Sequence, residues 1–320
     1  MAPCNLETYP KGPKLQTWLG YEALSVEAQS QRITEAEKSD FCRNFKACLD
    51  QQVAPEAGLL VDLMDELVAM DLPMMALILL DSYPDLAIDP SSFRRYHVEA
   101  TASLLCGEDS RAERALLLAR DLLPEEPAPY TNLVQLYANQ GAQETALEWF
   151  RAGAQICPNH FPLWEVYASM LPEGADAPFD LVLAAAREFS SWVGYSLAAE
   201  LDPHRNSQTL ALYLDPFYKQ GEREEAFLLE YTGALGAAGD FDRVLKVVQL
   251  ELAQNRGNYS WQLLWHSLQA SYALGHRAEF ELKSKVFLTE YEASIPAHIE
   301  GELRAMSQDE EHWGETGQKV

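Results

Sequence analysis

The sequence predicts an all-α protein built from antiparallel helix pairs stacked in chain order, and three observations predict it. Leu and Ala greatly outnumber Ile and Thr, and unbranched side chains lose little rotamer freedom in a helix. No run alternates polar and apolar residues as a half-buried strand requires. The middle of the chain repeats itself every 34 residues. Tyr96, Tyr130 and Trp164 keep that spacing, as do Gly107 and Gly141, Ala112 and Ala146, Leu116 and Phe150, and Pro124 and Pro158.

Each repeated residue has a physical place in a helix pair. Over 127–160, Tyr130, Leu133 and Tyr137 share one face of a first helix. Gly141 stands where the chain must turn and accepts the positive φ of a helix C-cap. Ala146 lets the second helix approach the first, and Phe150 fills the space beside it. Pro158 marks the end of the second helix. Segment 93–126 repeats the plan with Tyr96, Gly107, Ala112, Leu116, Ala119 and Pro124.

These residues resemble the tetratricopeptide repeat (TPR) family over 93–160, with departures at Val134, Ser103 and Glu99. The resemblance implies a right-handed superhelix of antiparallel helix pairs, a TPR-like α-solenoid. One such pair cannot bury its apolar stripe alone, so neighbours stack into a continuous core.

Outside 93–160 the pattern thins. Leu60, Leu63, Leu67, Ala76 and Leu80 fit a degenerate unit over 57–92. Downstream, Trp164 opens a helix that the segment 171–178 ends early, and Phe179 to Leu201 reads as one helix containing Gly194. Asp202-Pro203 and Asp215-Pro216 read as helix starts, cap then N1 proline. Gly221 with Ala226 has the turn-to-alanine spacing of the central repeats, and Gly239 and Gly275 read as two further turns flanking helices over 241–254 and 261–274. The resulting organisation is an N-terminal flanking segment with capping helices over 1–56, a helical repeat array over 57–300, and an acidic tail over 301–320 expected to fray. Residues 1–14 are expected to be extended, with Trp18, Leu19 and Leu24 on a leading helix.

Composition limits the function. The 320 residues carry 24 Lys+Arg against 49 Asp+Glu, a formal charge of −25. That balance argues against binding nucleic-acid phosphates or an anionic membrane surface. A basic partner segment fits it, as does plain solubility. Cys4, Cys42, Cys48, Cys106 and Cys157 are an odd, scattered set, read as free thiols in a reducing compartment. The first residues do not read as a signal peptide, and the longest apolar stretch, Met74 to Leu80, is too short to span a bilayer. The expected location is the cytoplasm.

Reaction motifs are missing. There is no phosphate-binding glycine loop, and Gly233, Gly236 and Gly239 follow no strand, so they read as a loose helix end and a turn. Ser196 lacks the strand and second glycine of a nucleophile elbow. The seven histidines are dispersed, and Cys42 and Cys48 would stand about 240° apart around a helix. No metal or cofactor is expected. Acidic pairs read as solvated helix ends, and Trp261 with Trp265 as a core stripe at i, i+4.

The resemblance implies a partner groove lined by first helices. Carried onto this sequence, it points to Arg94, His97, Thr101 and Leu105, then Thr131, Asn132, Gln135 and Asn139, then Glu165 and Ser169. The uncharged side chains of the second set suit the backbone of an extended peptide. Family members that clamp a terminal carboxylate do so with basic residues. Asn132 matches one clamp asparagine, but His97, Pro162 and Val166 stand where bases are expected. The leading expectation is a non-catalytic scaffold or adaptor for a protein or peptide. The alternative is an enzyme or enzyme accessory whose site gathers distant residues, including His266, Trp261 and Trp265. Self-association into a homo-oligomer through the C-terminal pairs is a further expectation.

Overall fold

The computed structural model describes residues 60–69, 71–83, 92–171, 177–202, 207–255, 260–291 and 294–316. The readings for residues 1–56, including Cys4, Cys42, Cys48 and the leading helix at Trp18, lie outside them. Among the described residues there are sixteen helices and no strand. The chain divides into two compact units, the first ending at Met170 and the second beginning at Leu171.

The first unit holds α1 (Leu60–Ala69), α2 (Pro73–Ser82), α3 (Phe93–Cys106), α4 (Asp109–Leu122), α5 (Pro127–Asn139), α6 (Gln143–Ile156) and α7 (Phe161–Ser169). Its main packing joins each helix to the next, together with α1 to α3 and α5 to α7. In α1, Leu60, Leu63, Met64 and Leu67 form one buried stripe, and this stripe meets α2 and the Val98 and Ala102 side of α3. Ser92 caps α3 by accepting the N–H of Arg95 at 3.3 Å. Gly107 and Gly141 both take φ 72° at the ends of α3 and α5. At each, the next residue's N–H reaches the carbonyl five residues back, Glu108 to Ser103 and Ala142 to Tyr137, both at 2.9 Å.

The 34-residue period has a counterpart in bonding. Tyr130 donates its hydroxyl to the Pro124 carbonyl at 3.0 Å, and Trp164 donates its indole N–H to the Pro158 carbonyl at 2.6 Å. Both ring and proline are shifted by one repeat, and each bond satisfies the polar handle of a buried ring. Phe150 stacks on Tyr167 with centroids 4.0 Å apart and meets the edge of Trp164 at 5.2 Å. Gly153 lets α6 approach α5, because a Cβ there would stand 2.8 Å from Tyr130 Cβ.

The second unit holds α8 (Ala177–Phe189), α9 (Trp192–Leu201), α10 (Ser207–Gln220), α11 (Glu225–Ala237), α12 (Phe241–Asn255), α13 (Trp261–Ala273), α14 (Arg277–Tyr291), α15 (Ala297–Gln308) and α16 (Glu310–Thr316). Its main packing joins successive helices from α8 to α14, and α11 to α13. The turns at Gly239 and Gly275 fall between α11 and α12 and between α13 and α14, with φ 79° and 70°. These match the reading of helices over 241–254 and 261–274.

Four readings are corrected. The stretch Phe179 to Leu201 is two helices, because Ser190 takes φ 51° and Ser191 caps α9 by accepting the Gly194 N–H at 3.0 Å. Asp215-Pro216 is not a helix start: Pro216 lies inside α10. The N–H it lacks would have bonded Leu212, which stands on the exposed side of the helix, while Asp215 accepts from Tyr231 at 2.7 Å. Ala226 is exposed rather than packed, and α11 buries Phe227, Leu228 and Tyr231 instead. The tail over 301–320, expected to fray, is helical as far as Gln308 and again over 310–316. Two apolar anchors hold it: Leu303 is buried, and Trp313, 5% exposed, packs on Tyr272 and Phe280. Tyr272 also donates to Asp309 at 2.5 Å.

Phe150 and Trp164 are at most 2% exposed, so either changed to Ala will cost roughly 3–5 kcal/mol in urea unfolding. Gly153→Ala will destabilise by about 1–3 kcal/mol through overpacking against Tyr130. An unfolding midpoint unchanged by Gly153→Ala would show that the α5 and α6 approach is loose.

Candidate functional site

The ten residues named for a groove lie on α3, α5 and α7, and the structure engages them unequally. Arg94 on α3 is held by Asp62 and Asp65 of α1. His97 stacks on Phe93 with centroids 5.6 Å apart, and its Nδ1 is buried without a hydrogen-bond partner. Thr101 turns its hydroxyl back to the His97 carbonyl at 2.9 Å. Leu105 is 59% exposed. Thr131 donates to the Pro127 carbonyl at 3.2 Å, Asn132 is half-buried, and Glu165 is exposed.

Three of the ten converge. Gln135, Asn139 and Ser169 line one concavity of about 290 Å³ between α5 and α7, with Ala138, Gly141, Gln143 and Met170. Gln135 donates its amide to Asn139 Oδ1 at 2.9 Å, as residues four apart on a helix permit. Ser169 donates to the Val166 carbonyl at 2.8 Å. Gln143 closes the far wall by donating to the Met170 carbonyl at 3.1 Å. The lining has no charged side chain. It offers amide and hydroxyl groups at hydrogen-bonding spacing, chemistry suited to a peptide backbone. Gln143 was not among the sequence candidates, because it opens a second helix rather than lining a first.

A second cavity, of about 390 Å³, lies within the second unit. It is formed by α11, α12, α13 and Met306 of α15. Its polar groups are Thr232, His266, Gln269 and Tyr272, and Gly233, Gly236, Ala237, Ala270 and Ala273 give it a low floor. Thr232 donates its hydroxyl to the Leu228 carbonyl at 2.7 Å and lies 2.8 Å from His266 Nδ1. One hydroxyl proton cannot serve both, so Nδ1 carries the hydrogen and donates to Thr232. His266 Nε2 is then the acceptor of a neutral imidazole. Burial lowers the His266 pKa from its ordinary 6.5.

The structure separates the residues of the enzyme alternative. Trp265 and Trp261 belong to the core around Phe287, at centroid distances of 5.9 and 6.4 Å. His266 faces the cavity instead. Glu251 is 0% exposed and bonds Arg223 at 2.9 Å and Tyr218 at 3.1 Å, away from that lining. Burial raises the Cys157 thiol, which donates to the Glu125 carbonyl at 3.1 Å, so it is not an activated nucleophile. Among the described residues, no group of three or more His, Cys, Asp or Glu is placed to hold a metal ion. No described helix is long and apolar enough to cross a membrane.

No family model and no curated protein matches this chain.

The lowered His266 pKa has a definite sign. The unfolded chain takes up a proton near the ordinary value, the folded one only at lower pH. Its contribution to stability is therefore present above about pH 6.5 and lost as pH falls through the folded value. Between about pH 7 and pH 5, wild-type protein will lose unfolding midpoint relative to His266→Gln. Parallel pH profiles would show that the imidazole is fully hydrated.

Proposed function

We propose that this chain is a TPR-like right-handed α-solenoid that binds a protein or peptide segment without catalysing a reaction, acting as a cytoplasmic scaffold or adaptor. The observation that carries the reading is the convergence of Gln135, Asn139 and Ser169 in one uncharged concavity between α5 and α7. Two further features support it. Ring-to-proline bonds recur one repeat apart at Tyr130 and Trp164. First helices pack on the next first helix at α1 to α3 and α5 to α7, the arrangement that lines a shared face in helical repeats.

The partner is an extended segment held by its backbone amides, with Thr131, Asn132, Gln135 and Asn139 contributing from α5 and Ser169 from α7. Arg94, His97, Thr101, Leu105 and Glu165 extend the surface on either side. The net charge of −25 favours basic residues flanking that segment.

Affinity capture with the intact chain, followed by binding measurements on the partner segment recovered, tests the reading. Changing Asn132, Gln135 and Asn139 together to Ala will weaken that segment at least about tenfold, since each hydrogen bond contributes about 0.5–1.5 kcal/mol. Raising ionic strength from about 0.05 to 0.5 M will weaken it further. Equal binding by the triple variant would remove the groove.

A further inference from the structure

The cavity between α11 and α13 is built around two helix glycines that no described side chain crowds. A glycine inside a helix costs roughly 0.8–1 kcal/mol relative to alanine, and packing often explains it. Gly153 is such a case, because a Cβ there would strike Tyr130 and Leu163. Gly233 and Gly236 are different. A Cβ at Gly236 would meet nothing within 4 Å, and one at Gly233 only His266 Cε1 at 3.7 Å. Alanine fits at both positions, so the room above them is not filled by the side chains of the described residues.

What the cavity offers is specific. Ala237, Ala270 and Ala273 continue the low floor, and Phe241, Val244 and Met306 supply apolar walls. Thr232 fixes the tautomer of His266, leaving Nε2 as a lone-pair acceptor that makes no hydrogen bond among the described residues. Among the described residues no charged side chain lines the cavity, so none of them pairs there with an ammonium or carboxylate. Its volume of about 390 Å³ sits at the small end of the roughly 300–1,000 Å³ of ligand pockets.

From these features we infer that this cavity receives a tryptophan side chain of a partner polypeptide, its indole N–H donating to His266 Nε2. Indole is flat, uncharged and a donor only, which matches a low floor, an uncharged lining and a free acceptor. A free amino acid is disfavoured, because its two charges would enter a lining with no counter-charge. The inference rests on the peptide-binding reading above but uses a different unit of the chain and different residues.

The test uses the full chain and N-acetyl-tryptophanamide, which presents the side chain between neutral amides. Titration to about 10 mM, a range suited to fragment affinities, will shift the His266 ring signals in NMR saturably. The analogue methylated on the indole nitrogen will bind about tenfold more weakly, for loss of one hydrogen bond. Free tryptophan and N-acetyl-leucinamide will also bind more weakly. Gly236→Leu will abolish the shift by filling the cavity while leaving the unfolding midpoint within a degree or two, as open space around its Cβ allows. Absence of a saturable shift, or equal binding by the methylated analogue or by N-acetyl-leucinamide, overturns the inference in wild-type protein without any variant. Such a failure leaves the α5 and α7 groove standing, because that groove is read through Asn132, Gln135 and Asn139. Loss of the groove would likewise leave the indole titration intact.

Discussion

Seven reversals among the described residues depend on one backbone geometry. Asp71, Gly107, Gly141, Ser190, Gly221, Gly239 and Gly275 all take positive φ. In each case the following N–H reaches the carbonyl five residues back, as Leu72 does to Leu67 and His276 to Ser271, both at 2.9 Å. This closure satisfies the last carbonyls of one helix and starts the next within a few residues. A connection so short leaves the second helix no choice but to run back along the first. The packing that follows, small residues such as Ala112 and Ala146 against the partner helix, presupposes that return.

The same geometry shows where the regular plan ends. In the first unit, the described positive-φ residues fall within the pairs α1–α2, α3–α4 and α5–α6, whereas the connections after α4 and α6 carry Leu123-Pro124 and Cys157-Pro158, with φ −140° at Leu123 and −125° at Cys157. Tyr130 and Trp164 then tie those connections to the next first helix through Pro124 and Pro158. In the second unit two such turns, at Gly221 and Gly239, bracket α11 on both sides. Helix α10 packs on both α9 and α11, and its Asp215 bonds Tyr231 of α11, Arg243 of α12 and Lys219 of its own helix.

Much of this was legible in residue types. Glycine at 107, 141, 239 and 275 advertises a reversal because few other residues accept positive φ at low cost. Ser190 and Asp71 adopt the same conformation without that signature, so the break between α8 and α9 was hidden in a continuous apolar pattern. Asp215-Pro216 has the composition of a cap, yet the carboxylate is claimed by Tyr231 from another helix, a long-range bond that local spacing does not encode. In the acidic tail, charge concealed Leu303 and Trp313, the two residues whose burial orders it. Of the groove candidates, Gln135 and Asn139 were readable as a pair four apart, but Ser169 joins them only because α7 returns beside α5. The cavity at His266 draws on four helices, so the sequence showed only its glycines, which resemble an ordinary helix end.

The locality of these contacts has a kinetic consequence. The main packing within each unit joins helices one or two places apart in the chain. Loops that close such contacts are short, and their entropic cost grows only slowly with length. Low contact order of this kind accompanies rapid folding, and nearest-neighbour packing lets structure nucleate at any pair and spread from it. Each hairpin can therefore consolidate soon after it leaves the ribosome, with its apolar stripe covered by the hairpin that emerges next.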